Sequence, residues 1–334
     1  MNSKFQSAAT LNGEQQTLKL KNVLCLDINT DRRLAIGSTI AKAFPEYDFE
    51  NRCHGIVSKV AATGAELVML CEVDAERIDF FETQFSLHGY KCRHVAYNQS
   101  QGAFSFLILS QNEEFLKNIE AFPLTESGLY VENSARPCAP KAGETPTPEY
   151  LAYKEEILLD SYDKTVIKVS IGNVDYYCTH LAQQNNARMF QTLKLRKIVE
   201  TQSIDKFRSA IICGNFNSFD VTKSTPTLLA EQIEILASMG AIKWNSKNIP
   251  LTFRAFIFDI VFKMTTKETE KYFRLLNAGL VVGFRVFCKE MMKKYGLDGI
   301  ALDHVFSTAD LQVNVEAIDM GSLSDHFMMF MTIE

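Results

Sequence analysis

No two of the eight cysteines stand as a CxxC pair. The chain therefore carries no spacing that announces a zinc ribbon, and nothing in it reads as a disulfide framework. Cys25, Cys71, Cys178 and Cys213 fall inside apolar, strand-like runs, where a free thiol behaves as a small hydrophobe. Reduced, buried thiols are expected, and with them the cytoplasm or another reducing compartment. The apolar core of a secretory signal is also lacking, because residues 1–17 are polar and read as a flexible leader. No apolar run reaches the roughly 18 residues that would span a bilayer. The longest candidate, around Ala278 to Val282, is bracketed by Arg274 and Arg285. Basic charge is not in excess either. The formal net charge is -5, which argues against a generally basic nucleic-acid surface but leaves room for a local patch. There is no internal repeat.

What remains is a chain of 334 residues, 46% of them hydrophobic, enough for a sizeable core. Val23 to Ile28, Leu67 to Leu70 and Ala103 to Leu109 read as buried strands. Ile56, Val57 and Val60 share a helix face that Gly64 would stop, and Ile78, Phe81 and Phe85 share another, followed by Gly89. Residues 120–150 read as a long loop. Val166 to Ile171 and Val174 to Thr179 flank Gly172-Asn173 as a hairpin. Residues 187–201 read as helix, and Thr225-Pro226 opens another that ends at Gly240. Leu302 to Phe306 and His326 to Ile333 are late strands. Alternating helices and strands predict an α/β layered fold.

The chemistry-bearing residues gather at strand ends. They are Asp27-Ile28-Asn29, Glu72, His180, Asn215 with Asn217, Asp303, and Asp325-His326. Their contexts carry a resemblance. Leu70-Cys71-Glu72-Val73, Thr179-His180-Leu181, Gly214-Asn215-Phe216-Asn217, Leu302-Asp303-His304-Val305-Phe306 and Ser324-Asp325-His326 follow the opening strand Val23 to Asn29 in order. Together they resemble the endonuclease/exonuclease/phosphatase superfamily over roughly residues 20–334. Arg188 and Gln191 also stand where that family commonly has them.

The resemblance implies a four-layer α/β sandwich, two mixed sheets face to face with helices outside. It places one domain over 18–334, with an insertion at about 243–295. It implies a monomeric Mg²⁺- or Mn²⁺-dependent phosphoesterase acting on a phosphate mono- or diester. Glu72 would be the main metal ligand, helped by Asp325 and by Asp27 or Asn29, since a hard cation prefers oxygen ligands. Asp303 would orient His326. His180 and Asn217 would hold phosphate oxygens as charge develops.

Two positions depart from the family pattern. Asn215 stands where the family has an Asp thought to activate water, and an amide cannot act as a general base. Asp27 stands where the family's first strand has Asn. Three readings follow: the carboxylate has moved across the site, the site is a degenerate binding module, or Asn215 is a laboratory substitution.

Substrate choice turns on a further segment. From Lys243 to Lys294 the chain holds 11 basic and 4 acidic residues, a local charge of +7 interleaved with aromatics. It is expected to be largely helical and to lie at the cleft rim. An anionic lipid surface or phosphoinositide headgroup is its favoured partner, with single-stranded nucleic acid, and so a nuclease, behind it. A solvated helical subdomain is the plainest alternative.

Overall fold

A computed structural model describes residues 20–28, 45–47, 49–96, 104–124, 164–182, 185–217, 228–239, 242–249, 252 and 301–334. The leader 1–17, Asn29, most of the 120–150 loop, the Thr225-Pro226 helix start with Gly240, and nearly all of the 243–294 segment lie outside these residues.

Among the described residues, twelve strands form two six-stranded mixed sheets. The first has the order β11-β12-β1-β2-β4-β3 and the second β5-β6-β7-β8-β10-β9. In the first sheet, β1 (Asn22–Asp27) pairs parallel with β2 (Leu67–Asp74), and β3 (Lys91–Ala96), β4 (Phe104–Ser110), β11 (Val313–Ile318) and β12 (Met328–Ile333) complete it. In the second, β7 (Val174–His180) pairs parallel with β8 (Ser209–Asn215), joined by β5 (Ile119–Pro123), β6 (Thr165–Ile171), β9 (Ile242–Trp244) and β10 (Asp303–Thr308). The remaining pairings are antiparallel.

Three apolar layers hold this together. Helices α1 (Phe49–Ala62) and α2 (Ile78–Ser86) cover the outer face of the first sheet, with Ile56, Val57, Val60, Phe81 and Phe85 packed on Leu24, Leu26, Val68 and Leu70. Helices α3 (Asn185–Gln202) and α4 (Leu228–Ala237) cover the second, with Leu195, Val199 and Leu236 packed on Tyr177, Ile212 and Phe306. Between the sheets lie Val23, Cys25, Met69, Cys71, Cys178, Ile211, Cys213 and Val305. The central strands are thus buried on both faces, which is why they read as unbroken apolar runs. Each fully buried Val, Leu, Ile, Phe or Met side chain contributes about 1.5–3 kcal/mol by leaving water.

The structure departs from the sequence reading at the sheet margins. Ile119–Pro123 is strand, although residues from 120 onward read as loop. β3, β9 and β11 were not anticipated. Each is an outer or short strand carrying exposed or half-buried side chains, so none shows an apolar run. No helix among the described residues is long and apolar enough to cross a membrane.

Candidate active site

Side chains alternate across a strand, so residues two apart share a face. On β1, Val23 and Cys25 point between the sheets, and Asp27 is the next in that row. On β7 the row Tyr176, Cys178 ends in His180, and on β8 the row Ile211, Cys213 ends in Asn215. Register then aligns these ends. His180 pairs with Asn215, and Asn215 with Asp303 at the start of β10. Three polar residues from adjacent strands thus form a row facing Asp27 on the opposite sheet.

Glu72 should point outward by the same alternation. A register shift between Leu70 and Val73 prevents this, and Glu72 itself adopts a left-handed backbone at φ 56°. Such a bulge re-aims a side chain. Here it brings Glu72 Oε1 to 3.4 Å from His180 Nδ1. The strained φ of a non-glycine residue marks a position that its surroundings hold in place.

Asp27 is the hub. Its Oδ2 accepts a hydrogen bond from Asn215 Nδ2 at 3.0 Å and lies 3.7 Å from His180 Nδ1 and 3.9 Å from His326 Nε2. On the far side of its ring, His326 Nδ1 is 2.8 Å from Asp303 Oδ2. The Ser324 hydroxyl ties the ends together by donating to the Asp27 carbonyl at 2.7 Å while accepting from the His326 N–H at 3.1 Å. Asp325 is buried beside them, and its charge is felt by both Glu72 and His326.

Asn217 is placed by its own backbone, left-handed at φ 49°. Its N–H donates to Asn215 Oδ1 at 2.8 Å and its Nδ2 to the Leu181 carbonyl at 2.6 Å. Arg188, on α3, donates to the Asn217 carbonyl at 2.7 Å, and Gln191 Oε1 accepts from the Ala182 N–H at 2.8 Å. Both side chains therefore brace the two loops that flank the cleft.

The electrostatics are sharply divided. Burial, and then the negative charge of Asp27, push the Glu72 carboxyl well above its ordinary value. Burial and Lys164 push His180 down to about 3, so this imidazole is neutral near neutral pH. Burial alone would lower His326 too, but Asp303 and Asp27 outweigh it and hold the imidazolium well above the usual histidine value. The site thus pairs one neutral and one protonated histidine.

Ligand atoms of Asp27, Glu72 and His180 lie within 4.8 Å of one another. Two carboxylates and an imidazole so close suit a divalent cation, which would relieve the repulsion that raises Glu72.

Two contributors are not apparent from motifs. Lys164 sits just before β6, and its charge reaches Glu72, Asp27 and His180. Burial lowers its ammonium against the pull of those carboxylates. Counting back from the Gly172-Asn173 turn, the hairpin register of Val166 with Thr179 carries Lys164 to the His180 end. That arithmetic was the available signal. Thr252 is the other: its Oγ1 accepts from the Leu302 and Asp303 N–H groups at 2.9 Å each, and its carbonyl accepts from the Phe327 N–H at 2.7 Å. It clamps the start of β10 to the segment that follows His326. An isolated threonine gives no sequence signal of this.

No protein-family profile matches the chain, and no curated protein sequence does. Solved structures do match in fold. A mannosyl-6-phosphatase from Bacteroides thetaiotaomicron aligns with a TM-score of 0.56 at 12% identity, over 94% of this chain and 99% of that one. An endonuclease/exonuclease/phosphatase from Bacteroides vulgatus aligns at 0.55 and 14% identity, over 95% and 99%. The human Nocturnin catalytic domain aligns at 0.52 and 14% identity, over 94% of each chain.

Proposed function

Starting from its endonuclease/exonuclease/phosphatase fold, we propose that this chain is a divalent-metal-dependent phosphoesterase whose water-activating carboxylate is Asp27. The observation that carries the reading is the Asn215 to Asp27 hydrogen bond of 3.0 Å. The two positions that depart from the family pattern touch, so an Asp-for-Asn exchange leaves one carboxylate and one amide in the same cleft. A plain loss of the carboxylate would not.

Glu72 and Asp27, with Asp325 buried nearby and Asn29 two residues further on in the sequence, are the residues that would hold Mg²⁺ or Mn²⁺. Such an ion supplies Lewis-acid stabilisation of phosphoryl oxygens when bound. The remaining roles belong to the chain. His326, kept protonated by Asp303, donates to a phosphate oxygen as negative charge develops. Neutral His180 and the Nδ2 of Asn217 supply further donors. Lys164 adds positive charge at the same end. Asp27 accepts the proton of the attacking water, a task that Asn215 cannot perform.

The basic, aromatic-rich segment from Lys243 to Lys294 favours an anionic lipid or phosphoinositide substrate over nucleic acid. One structural neighbour is a mannosyl-6-phosphatase, so a sugar phosphate belongs in the comparison.

The test is a hydrolysis panel of phosphoinositides, sphingomyelin, sugar phosphates, nucleotides and nucleic acids, with Mg²⁺ or Mn²⁺ and with chelator. Turnover should require the metal and vanish in Asp27→Asn. A native chain inactive on every member beside an active Asn215→Asp variant would defeat the migrated carboxylate. Ligand affinity without turnover in both would favour a binding module. Deleting the central part of the 243–294 segment should abolish binding to phosphoinositide vesicles, and that binding should weaken as salt rises.

A further inference from the structure

Directly beneath the cleft, the two sheets meet in a layer of sulfur. Cys25 precedes Asp27 by two residues on β1, Cys178 precedes His180 on β7, and Cys213 precedes Asn215 on β8. Cys71 pairs in register with Asp27 on β2. All four belong to the core between the sheets, two from each sheet, and none is more than 2% exposed. Cys178 Sγ lies 3.5 Å from Cys25 Sγ and 3.5 Å from Cys71 Sγ. The sulfurs of Cys25, Cys178 and Cys213 all lie within 4.8 Å of one another, and Cys71 stands just outside that set, beside Cys178.

Distances separate the uses such a cluster can have. A disulfide needs sulfurs about 2.05 Å apart, far closer than these, and Cys178 stands equally near two partners. Three sulfurs from three strands instead converge on one another, with the fourth alongside. A tetrahedral ion with metal–sulfur bonds of about 2.3 Å sets its ligands about 3.8 Å apart along each edge. The two 3.5 Å separations lie within a few tenths of an ångström of that edge, and a turn of the Cys71 side chain would be needed to close the remaining ones.

We propose that Cys25, Cys178 and Cys213 bind one thiophilic divalent ion, zinc above all, and that Cys71, beside Cys178, rotates in as the fourth thiolate to close the site. Binding would release four thiol protons and change no oxidation state. The ion would have no open coordination position, so its role is structural, in contrast to the oxygen-rich cleft above it. It would knot β1, β2, β7 and β8 together immediately under Asp27, His180 and Asn215. The four ligands come from four separate strands, so no CxxC spacing betrays them. The site does not depend on the phosphoesterase reading.

The experiment uses the full chain expressed with cobalt or zinc in the medium and purified with a non-thiol reductant. After dialysis against excess Mg²⁺ and a chelator, about one zinc per chain should remain by plasma mass spectrometry. The cobalt form should show strong sulfur-to-cobalt charge-transfer absorption in the near ultraviolet. That band should persist in Glu72→Gln and be lost in Cys178→Ser. A folded wild-type chain without the band, whose thiols all react on unfolding, would reduce the cluster to core packing. Two thiols that react only after reduction would make it a disulfide. Either result overturns the proposal, and both are read on the wild type, so a variant that fails to fold does not shield it.

Discussion

Asn215 donates its side-chain N–H to Asp27 Oδ2 across 3.0 Å, from one β-sheet to the other. This contact joins the two residues at which the chain departs from the family it resembles. If Asp27 is the base, Asp27→Asn should cut kcat/KM by roughly 10²–10⁴, the usual contribution of general acid–base catalysis. Asn215→Asp alone would set two carboxylates side by side and should also lose activity. The double exchange Asp27→Asn with Asn215→Asp should recover most of it. Steady-state kinetics on all three variants decide the matter, and an undiminished Asp27→Asn would dismiss Asp27 as the base.

Glu72 is the carboxylate most exposed to the cleft, with 20% of its side chain accessible beside a nearly closed Asp27 at 1%. Calorimetric titration with Mn²⁺ should show Glu72→Gln weakening affinity by at least about tenfold, a loss of about 1.4 kcal/mol. Circular dichroism should show the fold retained, since the side chain lies at the cleft wall. Equal affinity in the variant would remove Glu72 from the ligand set.

His326 owes its protonation to Asp303 and Asp27, which overcome the penalty of burial. In the metal-free chain, Asp303→Asn should therefore lower the His326 pKa, followed by NMR of the ring protons. The sign for stability follows. A raised histidine pKa contributes stability that is present below the unfolded value and lost as pH rises through the folded one. Asp303→Asn should narrow that alkaline loss. An unmoved His326 titration would mean that the 2.8 Å contact positions the ring without charging it.

The strand-end motifs located Asp27, His180, Asn215 and Asp303 because each stands at the end of a buried run whose inward row leads into the cleft, whereas His326 lies two residues before β12, out of step with its inward row of Met329, Met331 and Ile333, and is marked by its motif alone. Glu72 was legible by its motif alone, since alternation would have turned it away and only the bulge brings it in. Lys164 and Thr252 were not legible as site residues. One depends on hairpin register and the other on a single hydroxyl meeting two distant N–H groups. The outer strands were missed for the opposite reason to the central ones: β3 and β5 expose alternate or most side chains, so their sequences carry no apolar signature.

Gly214 occupies φ +132°, and a Cβ built there would lie 1.9 Å from the Thr179 carbonyl oxygen of the neighbouring β7 strand. Backbone cannot yield as a flexible side-chain tip can. Gly214→Ala should cost at least about 3 kcal/mol through clash and strain, read as a lower denaturation midpoint. It should also displace Asn215, the next residue, from Asp27. A variant as stable as the wild type would show that β8 can shift locally without loss.

Far from the cleft, Asp175 is fully buried and accepts from Ser170 Oγ and Ser203 Oγ at 2.7 Å each and from Arg208 Nη2 at 2.7 Å. Burial alone would raise its carboxyl, but Arg208 and the two hydroxyls outweigh it and hold the carboxyl below the usual aspartate value. A depressed carboxylate contributes stability above its unfolded pKa, about 3.9, and loses it as pH falls through the folded value. Asp175→Asn keeps the shape but removes the charge opposite Arg208, and should cost about 2–3 kcal/mol at pH 7, less than for a fully buried pair because Arg208 is partly exposed. The difference between wild type and variant should be full near neutrality and shrink below about pH 4, where the unfolded wild type begins to take up the proton that the folded carboxylate resists. Urea unfolding at pH 7 and pH 3 measures both ends. A difference that stays constant between them would show that the variant loses packing or hydrogen bonding and that the charge itself contributes nothing.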